Sequence, residues 1–244
     1  MKKVKQILLV AVAMILVSAI SIAATFAYLY DDSETVRNTF TIGKIDISLD
    51  EAKVNIYGQP VDESGNVLNS VADAPRVLEN EYKLIPGRTY VKDPIVHVSD
   101  DSELCYVLVL IFIPYAIERV IKYDSLPDDS EDLVQQIVQN GWVHEKAVSG
   151  IGKDGSSGEY RWFAYSAGEV YPVGVSKGTV LPVFQSITVK ESATYDQLKE
   201  ANACEISVTA YAFQFEETDT VHERDIFNTF ETVFDPYNLG ASSN

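Results

Sequence analysis

The amino-acid sequence predicts an all-β protein: an antiparallel β-sandwich with a few short peripheral helices, preceded by an N-terminal signal helix. Three observations lead to this prediction. Short apolar or alternating runs recur between glycine- and proline-containing turns, which is typical of antiparallel sheets. The run Leu104–Ile113 has ten uncharged residues, too few to cross a membrane and too rich in β-branched and aromatic types for a surface helix. The length of 244 residues suits one sandwich core with insertions.

The first residues of the chain have a pattern that predicts an export signal. Three lysines precede an uncharged run over residues 7–24, and the small residues Thr25 and Ala27 lie at the −3 and −1 positions that signal peptidases accept. We predict cleavage after Ala27, so that the mature chain begins at Tyr28. An uncleaved membrane anchor is the alternative, because about 18 apolar residues can just span a bilayer. In both cases the basic flank places the rest of the chain outside the cell.

The predicted domains follow from this cleavage site. They are a signal peptide (1–27), a mature N-terminal segment (28–40), a β-sandwich domain (41–236) and a C-terminal tail (237–244). The formal net charge is −17, and loss of the three leader lysines takes it to −20. This acidic balance argues against binding of nucleic acid and against docking on anionic lipid. It suits a secreted or surface protein that touches the membrane only through an uncleaved leader.

The strands are predicted from alternation and from the turn residues that flank them. The run Leu104–Ile113 is predicted as a central strand, buried on both faces and ended by Pro114. Residues 50–80 mix charges with glycine and proline, which predicts a loop or a loose hairpin around residues 63–66. The strand predicted over 39–49 has a bulge or bend at Gly43, and residues 82–98 are predicted to hold two extended pieces around a turn at 84–88. Residues 142–144 and 160–165 are predicted to form a hairpin around a loop at 150–158. The remaining predicted strands are 170–175, 178–184, 185–190 and 204–215.

Three short helices are predicted. The first carries apolar residues at helical spacing from Leu133, with Asp129 or Ser130 as its cap and Gly141 as its stop. The second begins with a capping box at Thr194 and runs to Ala203. The third follows another capping box at residues 220–223 and ends before Pro236. Its apolar residues are Ile226, Phe227, Phe230, Val233 and Phe234.

The two cysteines, Cys105 and Cys204, each open an apolar strand-like run. Outside the cell they could form one disulfide between strands distant in sequence. Two buried free thiols are the alternative, because the sequence does not give the Cα separation that a disulfide needs. A catalytic cysteine is not indicated, since the sequence pattern offers no histidine partner.

Several blocks of sequence carry a family resemblance. They are the leader with its Thr25-Phe26-Ala27 site and the aromatic and acidic stretch after it, residues 38–47 (NTFTIGKIDI), residues 84–87 (LIPG) with Val96 beyond, the aromatic strand 160–165, and residues 210–214 (AYAFQ). Together they resemble the TasA/camelysin family. Members of that family are exported proteins of Gram-positive bacteria that a dedicated SipW-type signal peptidase processes.

The resemblance implies a jelly-roll form of the sandwich that polymerises into fibres of the extracellular matrix or cell surface. The implied partners are other copies of the chain, joined head to tail, the signal peptidase and other matrix proteins. In the family, the mature N-terminal segment adds as a strand to the next subunit. Here that donor would be residues 28–40, with Tyr28, Tyr30 and Phe40 as anchors. The alternatives are a disordered tail or an ordinary first strand.

A cell-surface metallopeptidase is the hypothesis from another class, because camelysin-like members are described as metallopeptidases. Zinc peptidases commonly place two histidines four residues apart on a helix. The three histidines of this chain, His97, His144 and His222, are widely separated. We therefore predict no catalytic residue, no metal site and no cofactor. A monomeric surface adhesin on the same fold is the third hypothesis.

Overall fold

Antiparallel strands are the main regular secondary structure of the protein, which a computed structural model describes over residues 44–123 and 132–214. In these ranges the strands are β1 (Ile47–Ala52), β2 (Arg76–Val77), β3 (Thr89–Val91), β4 (Ile95–Val98), β5 (Cys105–Pro114), β6 (Trp142–Ile151), β7 (Ser157–Tyr165), β8 (Val180–Pro182), β9 (Ser186–Thr188) and β10 (Ser207–Gln214). The helices are α1 (Tyr115–Val120), α2 (Leu133–Gln139), α3 (Tyr195–Ala201) and a 3-10 turn at Val71–Asp73. The predicted class, mostly β with few short helices, is confirmed for the described part of the chain.

The described strands form three sheets, in which every pairing is antiparallel. One four-stranded sheet has the order β2-β1-β4-β8, and the other has the order β10-β5-β7-β6. Strands β3 and β9 form a separate two-stranded sheet. The main core draws side chains from both larger sheets, for example Val96 and Leu181 from the first and Val109 and Phe163 from the second.

Strand β5 is the central strand that its sequence predicts. It lies between β10 and β7, and all ten of its residues are buried. Side chains alternate between the two sides of a strand, so Val107 and Val109 belong to the main core while Leu108 and Leu110 belong to a second apolar cluster. A strand with neighbours on both edges and packing on both faces needs an apolar residue at every position, which explains the uninterrupted run.

The predicted hairpin of β6 and β7 is confirmed, and its strands are longer than expected. Pairing continues from Trp142 opposite Tyr165 to Ile151 opposite Ser157, so the connecting turn is only residues 152–156. A register shift between His144 and Lys146 makes a β-bulge that adds one residue to β6.

Two of the three predicted helices lie in the described ranges. Helix α2 is confirmed, but its cap is Asp132 rather than Asp129 or Ser130, because the Asp132 Oδ1 atom accepts the backbone N–H groups of Val134 and Gln135 at 3.0 and 3.4 Å. Helix α3 has the predicted capping box at Thr194 and ends at Ala201, two residues early. Helix α1, directly after β5, was not predicted. The third predicted helix lies outside the described residues.

The remaining differences concern short segments. Residues 170–175, predicted as a strand, form only an isolated bridge between Val175 and Cys105. Residues 50–80 contain the end of β1 and the short β2, together with a tight turn in which the Asp62 Oδ1 atom accepts the N–H groups of Ser64 and Asn66 at 2.9 and 2.8 Å. That turn lies where the loose hairpin was expected. The predicted bend at Gly43 lies outside the described residues.

Candidate docking surface

The histidines do not form a metal site in the described ranges. His97 Nε2 lies 3.1 Å from Asp50 Oδ1, and the His144 ring packs 5.2 Å from the ring of Phe163, centroid to centroid. His222 lies outside the described residues. Within residues 44–123 and 132–214, no group of three or more histidine, cysteine, aspartate or glutamate side chains could hold a metal ion.

The cysteines are free thiols, which corrects the disulfide alternative. Strand β10 pairs with β5 so that Gln214 lies opposite Cys105 and Ser207 lies opposite Phe112. The seven steps from Cys105 to Phe112 cover about 24 Å, and the three residues from Ser207 to Cys204 can recover at most about 11 Å. The two Cα atoms are thus at least about 13 Å apart, whereas a disulfide needs less than about 7 Å.

A network of charged side chains joins β1, β2 and the β3–β4 connection. Arg76 Nε donates to Asp50 Oδ1 at 2.7 Å, and Arg76 Nη1 donates to Asp93 Oδ2 at 2.8 Å. Asp93 also accepts the N–H of Ala52 at 2.7 Å. Burial acts to lower the pKa of Arg76, but its hydrogen bonds to Asp93 and Asp50 outweigh that effect and raise it. These contacts hold β2 against the end of β1.

A second ion pair lies beside this network and is almost completely buried. Lys92 Nζ lies 2.8 Å from Glu51 Oε2, and Asn80 Nδ2 donates to Glu51 Oε1 at 2.9 Å. Burial, assisted by the charges of Glu51 and Asp93, raises the pKa of Tyr82, whose ring faces Lys92. Neither network was predicted from the sequence, because their members are 17 to 41 residues apart and no local pattern connects them.

The edges of the two large sheets are candidate sites for strand addition, because an edge presents backbone N–H and C=O groups to a further strand. Within the described sheets the edge strands are β2 and β8 in one, and β10 and β6 in the other. Strands β2 and β8 have two and three residues. Strand β6 has ten residues but carries the bulge. Strand β10 pairs with β5 over all eight residues, Ser207–Gln214, with no register shift.

The sheet β10-β5-β7-β6 carries a second apolar cluster on the side away from the main core, which we call the aromatic face. Its buried members are Leu108, Leu110, Trp162 and Ala164, and its partly buried members are Val143, Tyr160, Tyr211 and Phe213. The rings of Trp162 and Tyr211 lie 5.4 Å apart, centroid to centroid. The predicted burial of residues 104–113 on both faces was a signal for an apolar layer on this side, but no local pattern showed which residues of the other strands form it.

The residues assigned to cleavage and strand donation cannot be located in this structure. Thr25, Ala27, Tyr28, Tyr30 and Phe40 all lie outside the described residues. Across residues 44–123 and 132–214, no helix has the length and apolar character needed to cross a membrane.

Neither a family model, nor a curated protein, nor a solved structure matches this chain.

Proposed function

We propose that this chain is an exported structural protein that assembles into fibres of the extracellular matrix or cell surface. After removal of the leader at Thr25-Phe26-Ala27 by a signal peptidase of the SipW type, residues 28–40 of one copy add as a strand to the next copy. The chain resembles the TasA/camelysin family in its leader and in residues 38–47, and this resemblance supplies the donor-strand mechanism.

A jelly-roll sandwich is the architecture that we propose for the subunit. Two four-stranded antiparallel sheets that share one core are compatible with it, because each sheet then buries one face against the other. Such a subunit has sheet edges, and every edge that its own chain leaves uncovered can pair with a strand from another molecule.

The observation that carries the proposal is the geometry of β10. It forms one edge of its described sheet over eight residues without a bulge, and a donor of 13 residues is long enough to pair along all of it. The bulge in β6 and the shortness of β2 and β8 make those strands poorer acceptors, because bulges and short strands are the means by which proteins block edge pairing. We therefore assign the acceptor edge to β10.

The anchors follow from the alternation of a strand. Tyr28, Tyr30 and Phe40 have the same parity, so an unbroken donor strand would place all three on one side. Val36 has that parity too, whereas Leu29 would lie on the other side. Because each subunit both donates and accepts, the contact does not close on itself, and a head-to-tail polymer results.

Electron microscopy of purified chains tests the proposal. The chain that starts at Tyr28 is expected to form filaments, and the chain that starts at Ile42 is expected to stay monomeric. Replacing Tyr28, Tyr30 and Phe40 by serine should abolish filaments. The matched replacement of Leu29, Thr35 and Thr39 by serine, on the other side of the strand, should leave them. A synthetic peptide of residues 28–40 should shorten filaments in a dose-dependent way, because it occupies acceptor edges.

Two results would refute the mechanism. One is filament formation by the Ile42 chain at the same concentration as the Tyr28 chain. The other is a Tyr28 chain that remains monomeric at every concentration and carries residues 28–40 tucked into its own subunit.

A further inference from the structure

The aromatic face is covered in the single chain. Leu108, Trp162 and Ala164 have 0% of their surface exposed, although they point away from the main core. Among the described residues, this cluster contains only residues of the one sheet. Neighbouring strands shield the flanks of such side chains but not their tips, so full burial on an outer sheet face requires another layer of structure above it.

We propose that this layer is the C-terminal segment, residues 215–244, whose predicted amphipathic helix before Pro236 packs onto its own subunit. The segment begins directly after Gln214, the last residue of β10, and the preceding side chain, Phe213, already belongs to the aromatic face. Its apolar residues have the spacing of one helix face. They are Ile226, Phe227, Phe230, Val233 and Phe234.

The dimensions of the segment match the face. The apolar stripe from Ile226 to Phe234 is about 12 Å long as a helix, and the four strands of the sheet cover about 14 Å from β10 to β6. The 11 residues between Gln214 and Ile226 reach up to about 36 Å when extended. The stripe can therefore lie across the strands without disturbing the end of β10.

The other candidate covers fit less well. Residues 124–131 hold only one large apolar residue, Leu126, and connect Tyr123 to Asp132; the neighbouring Tyr123 and Leu133 pack in the main core. A second copy of the chain is not needed to cover the centre of the face, because its four central residues are already buried in one copy. Residues 28–40 are assigned above to the neighbouring subunit. In excluding residues 28–40 as the cover, this inference rests on the proposed function, and crosslinks from position 230 test it separately because they identify the segment that is in contact.

Tryptophan fluorescence in the chain from Tyr28 to Asn244 provides the first test. The two tryptophans occupy different clusters, Trp142 in the main core and Trp162 on the aromatic face. Replacing Phe227 and Phe230 by serine should make roughly half of the emission accessible to acrylamide and should increase binding of an apolar dye several-fold. The matched control, Asn228→Ala with Thr232→Ala on the opposite side of the same helix, should behave like the unchanged chain.

A photo-crosslinker at position 230 provides a second test that does not depend on the double variant remaining folded. Crosslinks within one chain to peptides of β5, β7 or β10 are the expected result. Unchanged quenching in a folded double variant would overturn the proposal. So would crosslinks to any other part of the chain or to a second copy.

Discussion

The side-chain amide of Gln136 forms hydrogen bonds to both backbone groups of Ser186, as the backbone of a neighbouring strand would. Gln136 Oε1 accepts the Ser186 N–H at 3.0 Å, and Gln136 Nε2 donates to the Ser186 carbonyl oxygen at 3.1 Å. The same Oε1 atom accepts the N–H of Gln185, also at 3.0 Å. Helix α2 thereby satisfies backbone groups of β9, whose residues pair with β3.

Replacing Gln136 by leucine is expected to lower the free energy of unfolding by about 2–4 kcal/mol, because it leaves two N–H groups and one carbonyl without their partner. Urea denaturation followed by circular dichroism measures the loss. Gln139→Leu on the exposed side of the same helix should change stability by no more than about 0.5 kcal/mol. Equal losses in the two variants would show that these hydrogen bonds contribute little.

Gly58 should tolerate alanine much less well than Gly65 does. Both glycines have positive φ angles, +70° and +87°, so alanine is strained at each by about 1–2 kcal/mol. A Cβ atom at Gly58 would also lie 2.7 Å from the Cα of Tyr90, a fully buried residue, whereas Gly65 has open space around it. Thermal unfolding of the two variants should differ by at least about 2 kcal/mol in stability. A smaller difference would mean that Tyr90 can move.

Both thiols should be titratable without a reductant. In denaturant, Ellman's reagent is expected to detect two thiols per chain, and the intact mass of the chain should lack the two-hydrogen decrease that a disulfide causes. In the folded protein only the half-buried Cys204 should react, because Cys105 lies in the interior of β5. Burial raises the pKa of both thiols, and the charge of Asp154 contributes at Cys204, so the reaction should accelerate as pH rises. Cys204→Ser should remove the reacting group.

Arg76 should contribute far more to stability than Arg119. Arg76 binds two carboxylates, one of them on the nearly buried Asp93, whereas the pair of Arg119 with Glu200 is exposed and 3.5 Å long. Arg76→Gln is expected to cost about 2–3 kcal/mol, because it leaves Asp93 without its cation. Arg119→Gln should cost at most about 0.5 kcal/mol. Chemical denaturation at low and high salt measures both, and similar costs would contradict this ranking.

Asp154 should make stability depend on pH. Burial acts to raise the pKa of Asp154, but hydrogen bonds from the Ser156 hydroxyl and from the N–H groups of Ser156 and Glu205 outweigh it and lower the pKa. When folding lowers the pKa of a carboxyl, that carboxyl stabilises the fold at pH values above its pKa in the unfolded chain, about 3.9. The stabilisation is lost as the pH falls through the lower pKa of the folded state.

The measurement compares Asp154→Asn with the unchanged chain between pH 7 and pH 3. Because the carboxylate is exposed, the expected difference at pH 7 is only about 0.5–1 kcal/mol, and it should shrink towards pH 3. Glu169→Gln, at an exposed carboxylate, serves as the control. A difference that grows as pH falls would have the wrong sign.

Sequence reasoning succeeded where the signal was local. The uninterrupted apolar run Leu104–Ile113 predicted β5, and the spacing of Thr194 and Gln197 predicted the cap of α3. It failed where the deciding partner was distant. Residues 170–175 are rich in apolar residues but make only a single bridge, from Val175 to Cys105, and the cap of α2 differs from the two candidates.

The sequence by itself determined the β class and the places of most strands and turns, because periodicity, turn residues and caps act over a few neighbouring positions. Only the tertiary structure decided that Cys105 and Cys204 lie too far apart to bond, that Arg76 joins Asp50 to Asp93, and that alternate residues of β5 and β7 build an aromatic face. Those features depend on the register and order of strands far apart in the chain, and pairing between distant strands leaves no local pattern to read.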